Sequence, residues 1–247
     1  MRAASEPVLH LGAWWGALER DLAGTLARAR RTGARRVELP SPYAPFAAER
    51  SAVRIALAGA HVAAESATVG TARLYHRWAH AIAAARAVGC ARLVVSPLGP
   101  EERRTPEDWP EMLTMLARAA VNARAVGLGL AMRTDAWMHT SVGGASPLGT
   151  LLATRAAARV GVAVDVGAAR DAGIDPADAL RAAGARLAAV YLRASDVAEA
   201  RTLTALRRGA ARAPSASWVV SLDGDSDDAA ERAGHALGVL RRAAATR

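Results

Sequence analysis

The chain has 247 residues, 52% of them in the hydrophobic set, which is enough for a full core without requiring a second domain. Basic residues exceed acidic ones by 32 − 23 = 9, and the sequence contains no lysine, so Schiff-base chemistry through a Lys amine is excluded. The single cysteine, Cys90, excludes an internal disulfide and reads as a buried thiol.

Taken in order, the chain shows eight short apolar runs: Val8–Leu11, Val37–Leu39, His61–Ala64, Arg92–Val95, Leu128–Met132, Val160–Val164, Leu187–Leu192 and Trp218–Leu222. Their continuity suits strands buried on both faces, and each is followed by an amphipathic segment. Leu18, Leu22 and Leu26 share one helical face. Glu107 and Asp108 begin a helix over Trp109–Val126, while Asp175-Pro176 and Ser226-Asp227-Asp228 mark two further helix starts. Gly33, Gly89, Gly127 and Gly184 stand between a helix and the next strand, where a helix stop needs positive φ. Eight such units over residues 1–247, without a linker or a shift in composition, predict an α/β protein built as a single (β/α)8 TIM barrel. An open doubly wound sheet is the second choice.

The arginines are spread over many helix faces, as on a solvated surface, so nucleic acid is not an expected partner. No apolar run reaches the roughly 20 residues that span a membrane, and no signal pattern opens the chain. A cytoplasmic protein is expected, with a homodimer as the ordinary prior for such barrels.

In a barrel, chemistry sits at the C-terminal ends of the strands. Reading those ends yields Trp14 and Trp15, Glu38, Glu65, Ser96, Arg133 with Asp135, Asp165, Tyr191 with Arg193, and Asp223. Glu38 or Glu65 could move a proton at a carbon beside a carbonyl, and Tyr191 could serve as a general acid. The aromatics Trp14, Trp15, Tyr43, Phe46 and Trp137 gather in strand-to-helix loops, as an apolar wall around a small-molecule ligand would. His139 lies in the long fifth loop and could reach the same mouth. His76 and His80 lack the intervening Glu of a zinc-protease helix and read as surface residues. The acidic run from Asp223 to Asp228 lacks calcium-loop spacing and disfavours a phosphate at the mouth.

The stretches Leu22–Leu39, Ile82–Pro97, Ala119–Met132, Val160–Gly173 and Ala185–Asp196 resemble, in order and spacing, the xylose isomerase-like superfamily of TIM barrels, the sugar phosphate isomerase/epimerase and AP endonuclease 2 group. The resemblance implies a divalent ion held by a Glu ending strand five, an Asp ending strand six, a His or Gln ending strand seven and a Glu ending strand eight. Asp165 matches the second position and Asp223, a shorter acid, the fourth. Arg133 and Tyr191 stand at the other two, and Ala168 replaces a further His. A guanidinium donates only and repels cations, so a divalent metal is disfavoured and no cofactor is expected. Arg133 would instead occupy the metal's place, anchored by Asp165 and Asp223. The resulting expectation is an isomerase/epimerase-type enzyme that transfers a proton on a non-phosphorylated, sugar-like or specialised-metabolite carbonyl substrate. Trp14, Trp15, Tyr43, Trp137, His139 and Arg193 would contact that substrate. A lyase, dehydratase or cyclase would use the same parts, and a non-catalytic barrel that binds a ligand or partner chain is the contrasting reading. A nuclease would need metals and histidine ligands that this sequence lacks.

Overall fold

The protein is described by a computed structural model covering residues 6–40, 50–99, 102–103, 108–141, 144–198, 200–222 and 224–245. Eight parallel strands close into a barrel in sequence order: β1 (Val8–His10), β2 (Arg36–Leu39), β3 (Ala63–Val69), β4 (Arg92–Val95), β5 (Gly129–Arg133), β6 (Gly161–Asp165), β7 (Leu187–Arg193) and β8 (Ser217–Ser221). β1 pairs with β8, so the sheet has no free edge.

The helices outside are α1 (Trp15–Arg20), α2 (Leu22–Arg31), α3 (Arg50–Gly59), α4 (Ala72–Tyr75), α5 (Trp78–Val88), α6 (Asp108–Ala125), α7 (Ala136–His139), α8 (Pro147–Ala153), α9 (Val166–Asp171), α10 (Pro176–Ala183), α11 (Ala194–Ala198), α12 (Ala200–Gly209) and α13 (Asp227–Ala245). Their ends follow local chemistry. Asp175 accepts from the Ala177 N–H at 2.8 Å with Pro176 in the first turn of α10. Gly89, at φ +85°, stops α5 in the left-handed region. Among the described residues, no helix is long and apolar enough to cross a membrane.

Strand alternation divides the core in two. Leu9, Val37, Leu93, Leu130, Val162, Val190 and Val220 point outward under the helices. Val8, Val94, Ala131, Ala163, Ala189, Tyr191 and Val219 pack inside the barrel. Three of those interior residues are alanines, which leaves room for the one large ring, Tyr191.

One strand departs from expectation. β3 begins at Ala63 and runs to Val69, rather than ending at Ala64, and its register with β2 shifts between Val37 and Glu38. Glu65 therefore lies near the start of its strand. It accepts from Arg36 at 2.7 Å and from Ser217 Oγ at 3.1 Å. Arg92 donates to Ser217 Oγ at 3.4 Å and to the Ala188 carbonyl at 2.8 Å. These groups form a polar floor at the N-terminal end of the barrel. The expectation that Glu65 serves at the mouth is corrected: β3 starts later than the apolar run His61–Ala64 suggests and continues to Val69, which puts Glu65 at the opposite end.

Candidate active site

The alternation that points Val8, Ala131, Ala163, Ala189 and Val219 inward also points the residues two further along into the barrel mouth. They are His10, Arg133, Asp165, Tyr191 and Ser221. β2 contributes Glu38, whose register partner on β1 is His10, and His10 in turn pairs with Ser221 on β8.

Glu38 is fully buried. The Tyr191 hydroxyl donates to it at 2.7 Å from Oε1 and 2.6 Å from Oε2. Ser66 Oγ donates to Oε2, and Thr68 Oγ1 donates to Oε1 at 3.3 Å. Three hydroxyl donors on one acid fit a carboxylate acting purely as an acceptor. Burial, helped by Glu38, pushes the Tyr191 hydroxyl well above its ordinary range, so it stays protonated and donating.

Arg133 donates from Nε at 3.1 Å and from Nη2 at 2.6 Å, both to Asp165 Oδ2. Its guanidinium lies 4.2 Å from the centroid of the Tyr191 ring. Burial acts to lower the Arg133 pKa, but the charge and hydrogen bonds of Asp165 outweigh it and hold the group above its usual value. The cation is thus permanent. Asp165 is held in turn: its Oδ1 caps α9 through the Ala168 N–H at 3.2 Å, and its own N–H donates to Thr134 Oγ1 at 3.0 Å.

The aromatic wall is only partly present. Trp14 is fully buried in the outer core, with the Arg28 guanidinium 4.6 Å above its ring, so it packs the barrel rather than facing a ligand. Trp15 turns along α1 and donates to Glu19 at 2.9 Å. Those two expectations are corrected, because a 3-10 helix (Gly12–Trp14) and then α1 follow β1 closely and carry the two indoles away from the mouth. Trp137 packs edge-on against Trp109 at 5.7 Å, with Arg103 above it at 5.4 Å, and remains half-buried in the loop layer. His139 ends α7; its Nε2 is buried with no hydrogen-bond partner among the described residues. Burial lowers its pKa, opposed by Asp135 and Asp165, so it stands near the site. Arg193 is exposed at the end of β7, its guanidinium beside Gly167. Tyr43, Phe46 and Asp223 lie outside the described residues.

His10, Ser66, Thr68 and Ser221 were missed. His10 Nε2 stands 3.7 Å from Glu38 Oε1, and its ring meets that of Tyr191 edge-on at 6.3 Å. Gly12 makes room for it, since a Cβ there would collide with the imidazole Cε1. Burial lowers its pKa and Arg133 adds to that, while Glu38 and Asp165 pull it up. Period-2 reading of Val8 and His10 would have found this residue. Ser221 Oγ, next to His10 in register, is buried with no partner among the described residues.

The closed parallel barrel has the form of a TIM barrel, and an acid, an arginine and a histidine converge at its C-terminal mouth, the end where such barrels carry their sites. No family model matches the chain, and neither does any curated protein. Solved structures match it closely in fold: the fold is that of the sugar phosphate isomerase/epimerase and xylose isomerase-like TIM barrels. A sugar phosphate isomerase/epimerase from Parabacteroides distasonis superposes with a TM-score of 0.80 at 14% identity, covering 98% of this chain and 95% of that one. An L-ribulose 3-epimerase matches at 0.73 and 17% identity, covering 98% and 96%. A xylose isomerase-like TIM barrel protein from Mycobacterium smegmatis, in complex with magnesium, matches at 0.69 and 13% identity, covering 98% and 99%.

The described residues of this mouth do not suit such a cation. Asp165 Oδ2 is taken twice by Arg133 and Oδ1 by a helix N–H, while Tyr191 donates to Glu38. Among the described residues, no group of three His, Cys, Asp or Glu side chains could hold a metal ion.

Proposed function

We propose that the protein is an isomerase/epimerase-type enzyme that moves a proton at a carbon beside a carbonyl, with Arg133 polarising the oxygen in the place where the resemblance implies a divalent ion. The arrangement that supports this reading is the Arg133 guanidinium, clamped on Asp165 and stacked on Tyr191 beside the buried Glu38. Deprotonation next to a carbonyl puts negative charge on that oxygen, and a preorganised cation lowers the barrier most when it is aimed there. Arg133 needs no proton inventory for this, since it is charged at every working pH.

The substrate is a non-phosphorylated, sugar-like or specialised-metabolite carbonyl compound. The turn after β8 carries the exposed Asp225, Asp227 and Asp228, and Arg28 is engaged there with the Asp225 carbonyl and with Asp227. A phosphate placed at that turn would meet acids and an already committed guanidinium.

The test is proton exchange. D-fructose, D-psicose and L-ribulose are incubated with the enzyme in D2O containing EDTA and followed by NMR. Deuterium should enter the carbon beside the carbonyl, and Arg133→Met should slow this by about 10²–10³-fold. Absence of exchange with all three sugars contradicts the proposal. Exchange that vanishes in EDTA and returns with Mn²⁺ would leave an isomerase but remove Arg133 from the metal's role.

A further inference from the structure

We propose that His10, rather than Glu38, takes and returns the substrate's carbon-bound proton, with Glu38 as the positioning residue behind it. The inference rests on the isomerase/epimerase reading and assigns its missing base. Glu38 cannot be that base directly: its side chain is 0% exposed, whereas the His10 side chain keeps 16% of its exposure. Both Glu38 oxygens are occupied, by Tyr191 and Ser66 on Oε2 and by Tyr191 and Thr68 on Oε1. His10 stands between that carboxylate and the opening, with Nε2 3.7 Å from Oε1.

The geometry suits an acid–base dyad. The hydroxyl donors hold Glu38 in one orientation, and Tyr191 also meets the imidazole edge-on. Gly12 leaves the ring its space. The charged and titratable groups that act on His10 are Glu38 from β2, Arg133 from β5 and Asp165 from β6, with Tyr191 from β7 in ring contact. Two carboxylates therefore favour the imidazolium and one guanidinium opposes it. Burial keeps the resting ring neutral, as a base requires. In the step itself the substrate C–H bond breaks and its electron pair forms a C=C bond. The carbonyl π pair moves onto the oxygen that faces Arg133, and the proton joins the imidazole. Return of that proton to the neighbouring carbon, as the hydroxyl proton passes to the former carbonyl oxygen, gives the isomer and restores neutral His10. No oxidant or further reactant is consumed.

The experiment measures deuterium uptake by L-ribulose and D-fructose against pH for the wild type, His10→Gln, Glu38→Gln and Arg133→Met. His10→Gln should lose at least about 100-fold and lack the acid limb that a histidine base imposes. Glu38→Gln should retain that limb, moved to lower pH, because removing the negative charge weakens the imidazole's hold on its proton. A purely structural Glu38 would leave the limb in place. Exchange that survives His10→Gln but falls in Arg133→Met overturns the role of His10 while the functional reading stands. A wild type that exchanges neither sugar overturns both. Histidine NMR of the unsubstituted protein covers the case of a variant that fails to fold. His10 should titrate below the ordinary imidazole range, and a His10 that does not overturns its role as a neutral resting base.

Discussion

His10 and Glu38 face each other from adjacent strands, yet only one of them reaches water. That difference also bears on stability. Burial lowers the pKa of both His10 and His139, so the folded protein holds them neutral where the unfolded chain, titrating near 6.5, binds protons. Between those values the unfolded state carries more protons, and stability rises with pH. Midpoints of thermal unfolding should therefore stay level from pH 8 to 7 and fall as pH drops below about 6.5. The fall should be smaller in His10→Gln. A melting temperature that is constant or rising between pH 6.5 and 5 would contradict the buried neutral state. Cys90 takes no part, since burial pushes its thiol up to about 12. Much of this was legible beforehand. Glu38, Arg133, Asp165 and Tyr191 could be placed because each ends an apolar run. His10 could not, because the aromatic pair that follows it drew attention to a loop that turned out to be helix and core.

Elements were easier to read than their registers. β4 matches the sequence expectation at both ends, and β5 and β6 differ from it by a residue or so, since in each three consecutive apolar residues run into a polar one. β3 (Ala63–Val69) is not of that kind: it alternates small and polar residues, Ser66 and Thr68 among them, and its bulge against β2 is invisible to hydrophobic pattern. Helix packing holds a similar hidden constraint. Gly209 ends α12 against α10, where a Cβ would stand 2.6 Å from the Ala177 carbonyl oxygen and 3.1 Å from the Leu180 Cβ. Because the obstacle is backbone, the helices cannot yield locally. Gly209→Ala should cost about 1–3 kcal/mol through overpacking, measured as a lower urea midpoint at unchanged slope. An unchanged midpoint would show that α12 can slide.

Across the whole molecule, the two ends of the barrel carry opposite assignments. At the N-terminal end, Arg36, Glu65, Arg92 and Ser217 satisfy one another and close the floor. At the C-terminal end, Ser221 Oγ and His139 Nε2 are buried without partners among the described residues, and His10 is only partly covered. Satisfied polar groups stabilise a fold, whereas unsatisfied ones near an opening cost stability unless a ligand completes them. Glu65 and Glu38, both candidate bases by sequence, should therefore separate by experiment. Glu65→Ala leaves Arg36 and Ser217 without their acceptor. It should lower unfolding free energy by about 1–3 kcal/mol, toward the smaller value because the Arg36 side chain is 43% exposed. Deuterium exchange per folded molecule should match the wild type, because none of the floor residues reaches the mouth. The opposite pattern, lost exchange at unchanged stability, would return Glu65 to the catalytic end and undo the polarity assigned to this barrel.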